Sequence, residues 1–189
     1  MIREVLVPLV LDAREAGLRI IHAPGRAAGL HYPQCRMTDS AGGEWVGGTP
    51  DPEWPKGGPD WVRDPVEAGV QRLRADRRIH PLCEPLPAEP VVADGGQLHA
   101  VLKEERRVVP FFAGFAANLC VLNRDYGMRA FHGRGYGTVL VRDGTVAIEA
   151  ASTAERGLLL EASVVEAEMN FAGSVASGDL RAGLQALAP

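Results

Sequence analysis

Cys120 stands at a junction where a sulfur can be put to chemical use. The apolar run RVVPFF (107–112) leads into AGFAANLCV (113–121), and LNRDYGMRAF (122–131) leads out. The pattern predicts a strand over 107–113 and a helix over 119–132. A cysteine at the first turn of a helix meets unpaired backbone N–H groups and the positive end of the helix dipole, and both favour a thiolate. The same N–H groups can hold an oxyanion formed from a carbonyl substrate. Gly114, Ala116 and Ala117 are small enough for the turn to approach a ligand closely. The competing reading is a core thiol, because free cysteine is among the most buried residue types.

Other residue types with chemical capacity are spread along the chain. His22 ends the short strand predicted over 19–23, and it reads either as a general base beside a cysteine or as a core or loop histidine. Asp94 precedes Gly95-Gly96 and reads as an acid or as a turn aspartate. Asp143 precedes Gly144-Thr145 and reads as pocket lining or as a cap on the following turn. Phe115 suits pocket wall and core equally, and Asn118 and Asn123 flank the elbow as possible substrate contacts. Lysine is confined to Lys56 and Lys103, and the remaining histidines (His31, His80, His99, His132) are scattered. No cofactor and no metal site is expected from these spacings.

The elements that must position these residues alternate along the chain. Apolar residues at helical spacing predict a helix over 2–17 with Gly17 as its C-cap. Further helices are predicted over 65–75, 97–106 and 154–171, with strands over 89–93, 136–142 and 173–176. Residues 36–66 form a Gly/Pro-rich excursion that carries Trp45, Trp54 and Trp61. A packed structural excursion and a lid over a pocket are both open for it. The alternation predicts an α/β fold, a three-layer sandwich with a mostly parallel sheet of four to six strands. Ligands bind outside the carboxyl ends of the strands in such sheets, which is where Cys120 falls.

The length of 189 residues suggests one domain over 1–189, long enough for a real core. A net charge of −4 without a basic stripe points away from nucleic acid. The first residues, MIREVLVPLVLDAREAGL, are interrupted by charges and lack a cleavage-site pattern. No apolar run reaches the roughly 20 residues of a membrane span. Three cysteines without paired spacing suggest free thiols and a cytoplasmic setting.

The segment GFAANLCVLNRDYGMRAFHGRGYGTVLVRDGTVAIE (114–149) resembles the isochorismatase-like cysteine hydrolases, which include nicotinamidases, N-carbamoylsarcosine and ureidoacrylate amidohydrolases, and isochorismatase. The matching positions are Gly114, Ala117, Cys120, Val121, Gly135-Tyr136 and Asp143, and IIHAP (20–24) is similar to the family's second strand. The resemblance implies an isochorismatase-like, Rossmann-like fold and a nucleophile at Cys120 that forms a covalent thioester with a small amide or related C–N compound. It also implies an oxyanion hole from the backbone near Ala117 and Cys120. The turn at Ala116-Ala117 would shape that hole, often in the family with a non-proline cis peptide. Homo-oligomers are frequent in the family.

The family triad is Asp, Lys and Cys. Its Asp ends a strand ahead of the helix that opens this chain, and Asp12 lies within that helix. The stretch matching the lysine-bearing strand is PVVADGGQL (90–98), with Ala93 or Asp94 where lysine would stand. Lys103 falls in a helix expected to face solvent. Glu149 and Glu168 match acidic positions in relatives, with surface or salt-bridge roles as the plainer reading. The Asp-x-His spacing of the zinc-binding relatives is absent. Three readings stay open: an active cysteine hydrolase, a catalytically degenerate relative serving as a small-molecule-binding or assembly subunit, and an N-terminally truncated member.

Overall fold

The computed structural model of the chain describes residues 1–35, 77–105 and 108–187. The tryptophan-bearing excursion, Lys56 and the helix predicted over 65–75 lie outside the described residues.

The chain opens with a π-helical turn, Ile2–Leu6, that runs into helix α1, Val7–Glu15. Leu9 and Ala13, one turn apart, are its buried residues. Gly17 ends the run at φ +73°. Gly17 N–H donates to Arg14 O at 3.0 Å and Leu18 N–H to Ala13 O at 2.8 Å, the paired bonds of a Schellman stop. The short helix α2, Arg26–Gly29, follows.

Among the described residues the main sheet has three parallel strands in the order β1, Phe111–Phe115; β2, Val139–Val146; β3, Gly173–Val175. Four to six strands were expected. Segments 19–23 and 89–93 form no ladder beyond one parallel bridge, His22 with Val91. His22 N–H donates to Pro90 O at 2.9 Å and Val92 N–H to His22 O at 2.8 Å. Pro90 has no N–H to extend this pairing backwards, and Pro24 prevents its extension forwards. β1 starts at Phe111, just past Pro110, whose carbonyl accepts Val139 N–H at 3.1 Å. β2 starts three residues and ends four residues later than the predicted 136–142.

Adjacent residues of β2 separate the layers, because successive side chains in a strand point to opposite faces. Leu140 packs with Val121, Leu122, Met128, Ala167 and Phe171. Val141 packs with Leu9, Ala13 and Leu184 on the other face. The first face is covered by the segment after β1, with helix α4, Met128–Gly133, and by helix α5, Leu158–Asn170. The second is covered by α1 and a final helix α6, Ser177–Leu187, which the sequence pattern did not announce. Helix α3, Gly95–Leu102, packs Leu98 and Leu102 against Tyr126, Ala130 and Phe131. This is the three-layer α/β sandwich. Among the described residues no helix is long and apolar enough to cross a membrane.

The helix expected over 119–132 is two pieces. The π-helical turn Ala117–Val121 runs on through Leu122 and Asn123, and α4 begins only at Met128. Gly127 between them is extended, at φ −84° and ψ 172°. A Cβ at Gly127 would lie 2.9 Å from Arg124 N, Arg124 O and Val121 O, so the chain can fold back this tightly only at glycine.

Candidate active site

The site grows outward from the carboxyl end of β1. Gly114 adopts φ +123°, which L side chains rarely take. The Phe115–Ala116 peptide bond is cis, one residue earlier than the turn expected at Ala116-Ala117. Ala116 is extended, and its carbonyl accepts Leu119 N–H at 3.1 Å and Val121 N–H at 3.0 Å. That carbonyl closes the π-helical turn. Ala117, first in the turn, is fully buried, and Cys120, fourth in the turn, is half-buried with a free thiol. Amides this early in a helical turn belong to the class without carbonyl partners inside the helix.

A turn this short carries little macrodipole. Even a full helix end contributes only about 0.3–1 kcal/mol to a nearby charge. A hydrogen bond to a charged group contributes about 1.5–3 kcal/mol. A side-chain cation at the sulfur therefore outweighs the turn itself. Arg124 follows Cys120 one turn later. Its N–H reaches Cys120 O at 3.3 Å, so the two residues lie one turn apart on one face. The Arg124 guanidinium is held above its ordinary value, first by a hydrogen bond with the Cys120 side chain. Burial opposes this, and the charges of Tyr126, Cys120 and Asp125 add to it. The Tyr126 phenol is pushed up to about 12, mainly by burial and then by Cys120. Tyr126 thus keeps its proton across the neutral range.

Two other segments converge on this stretch. Gly95 N–H donates to Asp125 Oδ2 at 2.7 Å, and a Cβ at Gly95 would lie 2.2 Å from Asp125 O. Gly25, at φ +85°, comes up against Tyr126, whose hydroxyl would lie 3.2 Å from a Cβ there. The chain after His22 and the chain after Val92 therefore both end beside residues 125–126, downstream of the cysteine.

The side chains singled out from sequence have mostly structural partners. Asp94 caps α3, with Oδ1 accepting Gln97 N–H at 2.8 Å. Asp143 accepts Ser177 N–H at 2.7 Å and Ser177 O–H at 2.6 Å, so it caps α6 and not the turn that follows it. It reaches there because β2 bulges: the register steps from Phe112 with Leu140 to Gly114 with Thr145. His22 Nε2 lies 2.8 Å from Glu89 Oε2. Among the described hydrogen bonds none joins His22 to Cys120. Asn118 clamps the chain after β2, its Nδ2 donating to Ile148 O at 3.0 Å and its Oδ1 accepting Ile148 N–H at 3.1 Å. Asn123 donates to Asn118 O at 3.2 Å. Glu149 caps α5 through Leu159 and Leu160 N–H. Lys103 is exposed at the end of α3. Phe115 is 54% exposed and is not core; with Leu119 at 50% and Ile148 at 60% it gives the elbow an apolar surround.

Glu89 was not singled out from sequence, yet it is the hub of a buried cluster. Arg14 grips it with two bonds, Nε to Oε1 at 2.7 Å and Nη2 to Oε2 at 2.9 Å. Leu86 N–H adds a third at 2.9 Å. Burial alone would raise the Glu89 carboxyl; the bonds from Arg14, Leu86 and His22 and the charge of Arg14 overcome it and hold it at about 2. Arg124 was missed as well, although its i+4 spacing from Cys120 was a usable signal.

No family model and no curated protein matches the sequence. Solved structures do match in shape. A cysteine hydrolase from Pseudomonas syringae pv. phaseolicola superposes with a TM-score of 0.64 at 12% identity, over 96% of this chain and 79% of that one. An isochorismatase from Pseudomonas putida gives a TM-score of 0.55 at 18% identity, over 92% of this chain and 74% of that one. With its parallel sheet, flanking helices and elbow cysteine, the protein has the α/β fold of the isochorismatase-like cysteine hydrolases.

Proposed function

We propose that the protein is a cysteine hydrolase that cleaves a small amide or related C–N compound through a thioester at Cys120. The observation that supports this reading is the place of Cys120: half-buried, on the turn leaving the carboxyl end of β1, in a fold shared with a cysteine hydrolase. The thiolate attacks the carbonyl carbon, a C–S bond forms, and the oxyanion sits against the amides of Ala117 and Cys120. Collapse breaks the C–N bond, and the departing nitrogen takes up the proton that the thiol gave up. Water then cleaves the thioester, releasing the acid and restoring the thiol. The substrate is a small molecule, no metal or cofactor takes part, and a homo-oligomer in the cytoplasm is the working form.

A second reading, a subunit that binds small molecules or assembles with others without turnover, is favoured by one observation. Asp94 is occupied as a helix cap and Lys103 is exposed at a helix end, so neither joins Cys120 among the described residues. A panel of small amides incubated with the purified chain separates the two. Acid release abolished by Cys120→Ser supports the hydrolase. Binding without release, in a chain shown to be folded, supports the subunit.

A further inference from the structure

We propose that the substrate of Cys120 carries an apolar group, aromatic or branched aliphatic, beside its scissile amide, and that Phe115, Leu119 and Ile148 hold that group. This deepens the reading of Cys120 as a nucleophile and rests on it. The three side chains come from three segments that meet at the elbow. Phe115 ends β1, Leu119 directly precedes Cys120 in the turn, and Ile148 lies two residues past β2. Each is half exposed or more, and none belongs to the described core clusters. Their backbone positions are nonetheless fixed. Phe115 is paired in register with Val146, and Asn118 holds Ile148 at both its N–H and its carbonyl. Apolar side chains held in place yet left uncovered are what a pre-formed site for an apolar group requires.

The polar side chains of the elbow are already engaged. Asn118 is committed to Ile148, and Asn123 donates to Asn118 O and accepts from Arg129 Nε at 3.4 Å. Asp125 accepts Gly95 N–H, and Glu149 holds the start of α5. Arg124 shares the face of Cys120, one turn on from Leu119 and its neighbour. The surface that Phe115, Leu119 and Ile148 leave open beside the cysteine is therefore apolar. Its size selects the occupant. Three large side chains at about half exposure offer roughly 300 Å², taking about 200 Å² for each. A stable interface between two copies buries about 800 Å² on each. The patch falls far short of that and suits one phenyl or branched alkyl group.

The test compares two alkylating reagents at one pH, 2-chloroacetamide and N-benzyl-2-chloroacetamide, with the rate at each cysteine read by peptide mass spectrometry. The ratio of the two rates at one sulfur cancels that sulfur's own reactivity and reports what the benzyl group gains from its surroundings. Cys35 and Cys83 are half-buried free thiols, as Cys120 is, and serve as references. The benzyl-to-parent ratio at Cys120 should exceed theirs by about tenfold, the low end of what a small apolar group discriminates in a pocket. Phe115→Ala, Leu119→Ala and Ile148→Ala should each lower it, and the triple variant should bring it to the reference value. All three positions are exposed, so the variants should keep the fold. A Cys120 that reacts with both reagents at the reference ratio overturns the proposal and leaves the nucleophile standing. Cys120 inert to both in the folded chain overturns the nucleophile, and the proposal with it. A high ratio that survives the triple substitution overturns the proposal as well. So does a triple variant that changes the mass in solution and not the ratio, which would make the patch an interface between copies.

Discussion

A single side chain can hold two walls of this site together. Asn118 spans from the elbow to the backbone of Ile148 with one donor and one acceptor. Asn118→Ala should cost about 1–2 kcal/mol, two ordinary hydrogen bonds at a partly exposed position, read as a lowered denaturation midpoint. Asn118→Asp keeps the acceptor but sets a charge against the Ile148 carbonyl, so it should recover little. The cysteines differ in the same local way. Burial pushes the Cys35 thiol up, with Asp94 adding to it; burial also pushes Cys83 up, with the Arg14 charge working against it. Both should therefore alkylate slowly at neutral pH, which makes them usable references. At this scale the sequence was informative about Cys120 and silent about Glu89. A cysteine between a strand and small residues announces itself by type and position. A carboxylate whose partners are Arg14 and His22 does not, because nothing local marks a contact across 75 or 67 residues.

Elements here are placed by close approaches that local periodicity cannot reveal. Strand and helix order was legible from apolar spacing, but boundaries moved where a backbone group was missing or crowded, at Pro110 and at Gly127. Helix α6 was overlooked because Gly178 and Gly183 weaken its intrinsic propensity. Much of its start is fixed by Asp143, a residue of β2 34 positions earlier. Asp143→Ala should cost about 1 kcal/mol, the usual loss of a helix cap. It should also speed hydrogen exchange in α6 ahead of the rest. Gly95→Ala is the more severe change, because its Cβ would meet backbone and not a yielding side chain. About 1–3 kcal/mol of overpacking is expected, together with displacement of residues 125–126, visible as altered reactivity of Cys120.

For the whole molecule, the Arg14–Glu89–His22 cluster joins α1 to both bridged segments outside the main sheet. Breaking it at Glu89→Gln leaves Arg14 only one-quarter exposed and without its carboxylate, and should cost about 3 kcal/mol. The pH dependence has a definite sign. Glu89 is depressed from 4.5 to about 2 in the folded chain, so its contribution is fully present above about pH 4.5 and lost as the pH falls toward 2. Denaturation midpoints should fall across that window in the unaltered protein and fall less steeply in Glu89→Gln. Equal slopes would remove Glu89 as the source. The three-layer class was legible in the sequence because alternation of elements is a long-range average. The strand count was not, because pairing of 19–23 with 89–93 depends on which proline interrupts which ladder.

The Arg14–Glu89 pair also closes a loop of 75 residues along the chain. The entropy lost in closing a loop grows only with the logarithm of its length, about 0.6 kcal/mol for each doubling. The distance along the chain between these two residues is therefore nearly irrelevant to whether they meet. Evolution could lengthen or shorten the intervening stretch at small thermodynamic cost, provided both ends return to the same clasp. A graded series of insertions and deletions within it, clear of His22 and Leu86, should leave the acid transition of Glu89 in place.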